Sequence, residues 1–211
     1  VVVGILALGM LPVLITGGID LSVSANIALT TLITGKLLTQ SNMGLPSIFL
    51  ICCIAGGIIG ILNGLIITCF NISPIVATLG IQSIMQGTIL VYTKGNMITN
   101  MPEWFQNFGR ITVANIPIQI FFLILTTIIM SFILKYTLIG RGVYAIGGSE
   151  ASAVRIGYNP QKIKIFVYTL AGVLSGIAGV LNTSIVQGVN PNTFVGTELN
   201  VITTIAITLS S

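Results

Sequence analysis

The 211-residue chain contains no histidine, only 4 acidic residues and only 3 cysteines. Charged residues make up 6% of it, where soluble domains carry about 25%. So little charge cannot solvate the outside of a globule, and with 54% hydrophobic residues a disordered chain is excluded as well. The net charge of +4 on a nearly uncharged chain is the signature of cytoplasmic loops that retain Lys and Arg rather than of a nucleic-acid patch. Cys52, Cys53 and Cys69 lie inside apolar runs. Without histidine or a CxxC spacing they offer no zinc site, and no other metal site is expected. Enzyme signatures are missing too: there is no GxSxG and no Walker A, and Gly35-Lys36 lacks the upstream glycine. The expectation is a non-catalytic chain without cofactor, driven by a gradient or by another chain. The absence of a starting methionine, and an apolar run reaching Ser211, read as an internal piece of a longer protein.

What the sequence does have is long apolar runs. A span needs about 20 such residues, and runs at 1–19, 21–38, 46–70, 75–92, 115–134 and 165–186 qualify, with a further one beginning at Val201. The loop at 135–164 holds Lys135, Arg141, Arg155, Lys162 and Lys164, five of the 8 basic residues. Retention of Lys and Arg inside places this loop in the cytoplasm and the 94–114 and 188–198 loops outside. Trp104 then suits the outer membrane interface.

The segment from Gly57 to Asn63 matches that from Gly176 to Asn182 at a constant offset of 119, which also pairs Asn71 with Asn190, Val76 with Val195 and Thr78 with Thr197. Loop charge gives the two copies opposite directions, as in proteins with a pseudo-two-fold axis in the membrane plane. The fold expected is all-α: a polytopic integral membrane helical bundle with broken helices and an inverted internal repeat, forming a single domain over 1–211.

Small residues recur every fourth position at Gly56, Gly60 and Gly64, at Gly172 and Gly176, and at Ser175 and Gly179, which lets helix backbones approach closely. Asn63 and Asn182 share those faces, either gluing helices or lining a polar path. Asp20 is flanked on both sides by apolar runs and follows Gly17-Gly18. Two glycines break the helix, and Asp20 can cap the next one or contact a solute. A hairpin and a discontinuous single crossing both fit this stretch. With Asp20 alone among neutral groups such as Asn26, Gln82, Gln86 and Gln187, the lining suits a neutral, hydroxyl-rich solute. Gly17, Gly18, Asp20, Ser22, Asn63, Gln82 and Asn182 are the candidate path residues.

In the basic loop, Ser149 can cap a short helix with Glu150 in its first turn and Arg155 in its last, both matched to the helix dipole. Gly157 supplies a left-handed stop and Asn159-Pro160 prevents continuation.

Three stretches together resemble permease subunits of ATP-binding-cassette importers for simple sugars (ribose, xylose and galactosides): GGIDLSVS at 17–24, Val76-Ala77-Thr78-Leu79-Gly80, and the loop from Gly140 to Gly157. The region from Gln187 through Asn190-Pro191 to Gly196-Thr197-Glu198-Leu199 resembles theirs as well. Ser24 departs from the usual glycine and Ser149 from the common asparagine. The resemblance implies a membrane subunit that forms the path for a sugar in the inner (plasma) membrane. It implies three partners besides lipid: an extracytoplasmic sugar-binding protein, a second permease subunit, identical or not, and a separate cytoplasmic ATPase that uses the ATP. It makes 135–164 the coupling loop, with Gly147, Gly148, Ser149, Glu150, Ala153, Arg155 and Gly157 serving the ATPase. An ion-coupled carrier of a neutral polar solute and a plain membrane anchor are the rival readings.

Overall fold

The computed structural model describes residues 1–41, 43–190, 201 and 203. Val195, Thr197 and the other residues of 191–200 named above lie outside the described residues. The described part is helical: α1 Val2–Ile15, α2 Val23–Gln40, α3 Leu45–Phe70, α4 Pro74–Thr93, α5 Glu103–Arg110, α6 Ile118–Tyr136, α7 Leu138–Gly148, α8 Glu150–Arg155 and α9 Pro160–Val186. A two-stranded hairpin, β1 Thr112–Val113 with β2 Ile116–Pro117, precedes α6. Four helices, α3, α4, α6 and α9, are long and apolar enough to cross a membrane; α1 is apolar but shorter. α2 is 18 residues long and mostly buried inside the bundle.

Local chemistry sets the helix ends. Pro46, Pro74 and Pro160 stand in the first turns of α3, α4 and α9, where a missing N–H costs nothing. Asn71 and Gln187 close α3 and α9 in the left-handed region, with φ of 52° and 56°. The span expected at 115–134 starts later, at Ile118. Ala114 and Asn115 both take positive φ and turn the β1–β2 hairpin instead. The outer loop also contains α5, with Phe105 buried and Trp104 half-exposed edge-on to it.

α3 and α9 form the central pair. Cβ atoms placed on Gly176, Gly172, Gly60 and Gly64 would strike, in turn, the backbone at Cys52, Gly56, Tyr168 and Ile165. These partners rise along one helix as they fall along the other, so the helices are antiparallel. Because they carry the two copies of the repeated segment, their contact is consistent with the inverted repeat. α2 lies across both: Asn26 Nδ2 donates to the Gly56 carbonyl (3.3 Å) and Thr30 Oγ1 to the Ser175 carbonyl (3.2 Å). Phe49 of α3 stacks on Phe122 of α6 at 5.3 Å.

α1 runs antiparallel to α9. Gly9 packs on Ala171 and Leu174, Gly18 meets Tyr168, and the carbonyl of Ile15 lies against Gly147 of α7 on the basic side. α2 then returns outward, its Thr34 reaching Cys52 near the start of α3. Residues 1–40 therefore form a hairpin, which settles the alternative left open by the sequence. Ser22, at the start of α2, is level with Asn63, seven residues or about 10 Å before the inner end of α3, while Gly17 and Gly18 border a cleft with Asn71, Ser73 and Pro74 at that end.

The glycine contacts generate a stability test. Gly60→Ala would push a methyl into the Tyr168 carbonyl, whereas Gly80 has open space around it. We expect Gly60→Ala to destabilise the detergent-purified protein by about 1–3 kcal/mol and Gly80→Ala to leave it unchanged. Equal melting temperatures for the two variants would contradict the α3–α9 packing.

Candidate functional site

The bend between α1 and α2 is where the backbone leaves helical geometry inside the bundle. Gly17 has φ of 77°, a conformation that favours glycine. Gly18 is required for space: a Cβ there would sit 2.5 Å from the Tyr168 hydroxyl. The freed backbone groups find partners locally and across the bundle. Gly17 N donates to Leu14 O and Gly18 N to Val13 O, both at 2.9 Å, and Leu21 N donates to Thr78 Oγ1 of α4 at 3.2 Å.

Asp20, 2% exposed, accepts through Oδ1 from the Ser22 backbone N (2.9 Å) and from the Ser22 hydroxyl (2.7 Å). That hydroxyl in turn accepts from Asn63 Nδ2 at 2.7 Å. The expected cap is thus displaced. Ser22 is the N-cap residue of α2 and makes no side-chain cap bond; Asp20 lies two residues earlier and fixes the turn rather than the first helical turn. In the first turn of α2, Gln82 Nε2 of α4 donates to Ser24 Oγ at 3.2 Å. Gly17, Gly18, Asp20, Ser22, Asn63 and Gln82 therefore come together at one place.

Asn182 does not join them. It is half-buried and lies fourteen residues beyond Tyr168 on α9, about 21 Å along the axis. The repeat makes Asn63 and Asn182 equivalent in sequence, but among the described residues only Asn63 has a broken helix beside it. Thr78 and Tyr168 belong to the site and were not singled out for it from sequence. Thr78 could have been noticed as a hydroxyl in the quoted VATLG run, and Tyr168 as a phenol inside an apolar span one turn after Lys164. Asn63 Oδ1, Asn26 Oδ1 and the Tyr168 hydroxyl are buried without a hydrogen-bond partner in this structure. Among the described residues no three His, Cys, Asp or Glu side chains gather to hold a metal.

A second cluster lies on the basic side. Ser149 Oγ accepts from Ser152 N at 3.3 Å, starting α8. Glu150 and Arg155 occupy its first and last turns, and Gly157 takes φ of 95°. Asn159 Oδ1 then accepts from Lys162 N at 3.1 Å to start α9. α7 was not expected. Its glycines argue against a helix in sequence, yet Gly140, Gly142 and Gly147 each press against a neighbour (Leu134, Ile163 and Ile15) where no side chain fits. Ala153 is 1% exposed and packs inward with Val143, Ile163 and Tyr168. It therefore holds α8 to the bundle, whereas Gly148 has open space and Val154 and Ile156 face outward, 53% and 71% exposed.

The Asp20 network predicts a graded response. Asparagine keeps an acceptor for both Ser22 donors, while leucine strands a buried N–H and hydroxyl, at about 1–3 kcal/mol for each unsatisfied group. Asp20→Asn should unfold near the wild-type temperature and Asp20→Leu well below it. Equal, large losses of stability in both variants would show that the carboxylate charge itself holds the bend.

The chain is 36% identical over 206 residues to the ribose import permease protein RbsC of Bacillus subtilis (strain 168), covering 97% of this chain and 64% of that protein. It is 34% identical over 210 residues to the protein of the same name from Haemophilus influenzae (96% and 64%). It is 30% identical over 203 residues to the L-arabinose ABC transporter permease protein AraH of Azospirillum brasilense (95% and 59%). The chain thus spans about 64% of the length of the ribose relatives. No solved structure matches it. The model of the branched-chain amino acid transport system / permease component family matches residues 1–210, and with its polytopic all-α bundle the chain belongs to that family of multi-pass membrane permeases.

Proposed function

We propose that the chain is the membrane-spanning part of an ATP-binding-cassette importer for a simple sugar, working in the inner (plasma) membrane. The observation that carries the proposal is the α7–α8 element. It is a capped, glycine-packed structure on the basic side whose outward residues, Val154 and Ile156, are apolar. A connector of two spans has no need of such a surface, but a groove on a cytoplasmic ATPase does. The relatives add the solute class: their names specify ribose and L-arabinose import, and this supports a sugar over the branched-chain amino acids of the family description.

In this reading the permease does no chemistry of its own. An extracytoplasmic binding protein delivers the sugar, a second permease subunit completes the path, and a separate ATPase closes and opens it. The polar bend, with Asp20, Ser22, Asn63 and Gln82, lines or gates the inner half of that path. Gly147, Gly148, Ser149, Glu150, Arg155 and Gly157 shape the ATPase-facing loop, with Ala153 as its anchor. The ion-coupled alternative has weaker support, because Asp20 is the sole carboxylate flanked by apolar runs, where such carriers use several ionisable groups within the membrane.

The test is uptake into vesicles holding the complete transporter, with labelled ribose and labelled leucine offered in parallel. ATP-dependent ribose uptake that persists with an uncoupler is the expected result. Uptake that collapses with the proton gradient, or leucine uptake without ribose uptake, would overturn the proposal. Ile156→Glu, on a residue facing away from the bundle, should abolish ATPase co-purification while leaving the permease folded; retention of the ATPase would remove α8 from the docking surface.

A further inference from the structure

We infer that Lys164 and Tyr168 of α9 are positioning residues that link the cytoplasmic helix α8 to the Gly17–Gly18 bend. The inference rests on the function proposed above and goes beyond it, naming the side chains through which the ATPase would act on the path.

Lys164 Nζ bonds Glu150 Oε2 of α8 at 2.7 Å, the one ion pair among the described residues. Four residues on, Tyr168 occupies the same face of α9, about 6 Å further into the bundle. Its ring is 1% exposed. It packs in the same apolar cluster as Ala153 of α8 and Val13 of α1, and its hydroxyl lies where a side chain on Gly18 would have to go. One turn of α9 therefore touches α8 at one end and the bend at the other.

The surroundings leave both contacts room to shift. Lys164 lines two clefts that open to the surface, one of about 540 Å³ shared with Glu150, Val154 and Tyr158 and another of about 240 Å³ shared with Gly17, Gly18 and Ser73. The Tyr168 hydroxyl makes no hydrogen bond, so its contact with Gly18 is one of shape and can slide. Gly17, in the left-handed region, is the hinge on the other side. A tilt of α8 pulls Lys164 and turns the inner part of α9. Tyr168 then moves against Gly18, and the displacement passes to Asp20 and Ser22, which hold Asn63 of α3. A half-exposed ion pair adds little to folding stability, so its loss should register in coupling rather than in folding.

The test uses the complete transporter with its ATPase and binding protein, and reads ATP hydrolysed per sugar imported. Glu150→Lys and Lys164→Glu should each raise that ratio at least about fivefold, the lower end of allosteric couplings, and Lys164→Glu, which lies outside the ATPase-facing loop, should leave ATPase co-purification unchanged. The charge-swapped double variant should return to within about twofold of wild type, because the two sites act as one pair. Single variants with a wild-type ratio, a double variant that stays uncoupled, or loss of the ATPase in the Lys164→Glu variant would each overturn the link. In the second arm, Gly18→Ala should slow uptake and Tyr168→Phe, which removes only the crowding oxygen, should restore it; failure of that rescue would break the link at its inner end. If the wild-type complex shows no ATP-dependent import, the proposed function fails and not the linkage.

Discussion

Inside a bilayer no water is available to a peptide group, so a chain that leaves helical geometry there must be satisfied by its own protein. Residues 16–22 leave helical geometry beside the inner ends of α3 and α4, with Asp20 and Ser22 buried, and much of the surrounding architecture follows from satisfying their polar groups. Leu21 N needs Thr78, so α4 must approach α2. The Ser22 hydroxyl, shared between Asp20 and Asn63, brings α3 to the same level. Tyr168 fills the remaining side, and Gly18 leaves room for its oxygen. A turn of this kind in water would need none of these neighbours.

The second requirement is proximity. Lipid supplies no hydrophobic drive for helices to associate, so contact depends on how closely their surfaces can fit. Gly56 and Gly60 meet backbone of α9, and Gly64 meets the Cα and side chain of Ile165; on the α2 side of α3, Asn63 reaches Ser22. Within the repeated segment the packing is not mutual: Gly60 meets the Tyr168 carbonyl of α9, whereas its counterpart Gly179 meets Thr30 of α2.

Much of this was legible in the sequence. The apolar run at 46–70 corresponds closely to α3, whereas α9 begins five residues before the run at 165–186, at Pro160, and takes Lys162 and Lys164 out of the expected loop. The cap of α8 by Ser149 and the stop at Gly157 were readable because their effects are local. The features that were not legible depend on tertiary contact. α7 is helical although four of its eleven residues are glycine, since three of those glycines lie where no side chain fits. Ala153 resembles any small exposed loop residue until Val143 and Tyr168 enclose it. Asn63 and Asn182 share a motif, yet only the neighbouring turn distinguishes the buried amide from the half-buried one.

α2 also has a consequence for how the protein enters the membrane. Its buried residues include Ser24, Asn26, Thr30, Thr31 and Thr34, and it is not among the helices apolar enough to cross unaided. Hydroxyls and amides at mid-helix oppose partitioning from the translocon into lipid. The polarity that suits α2 to the bundle interior therefore makes it a poor inserter. It must be retained beside the translocon until α3 follows and covers the Asn26 face, so biogenesis of this region proceeds in units larger than one helix.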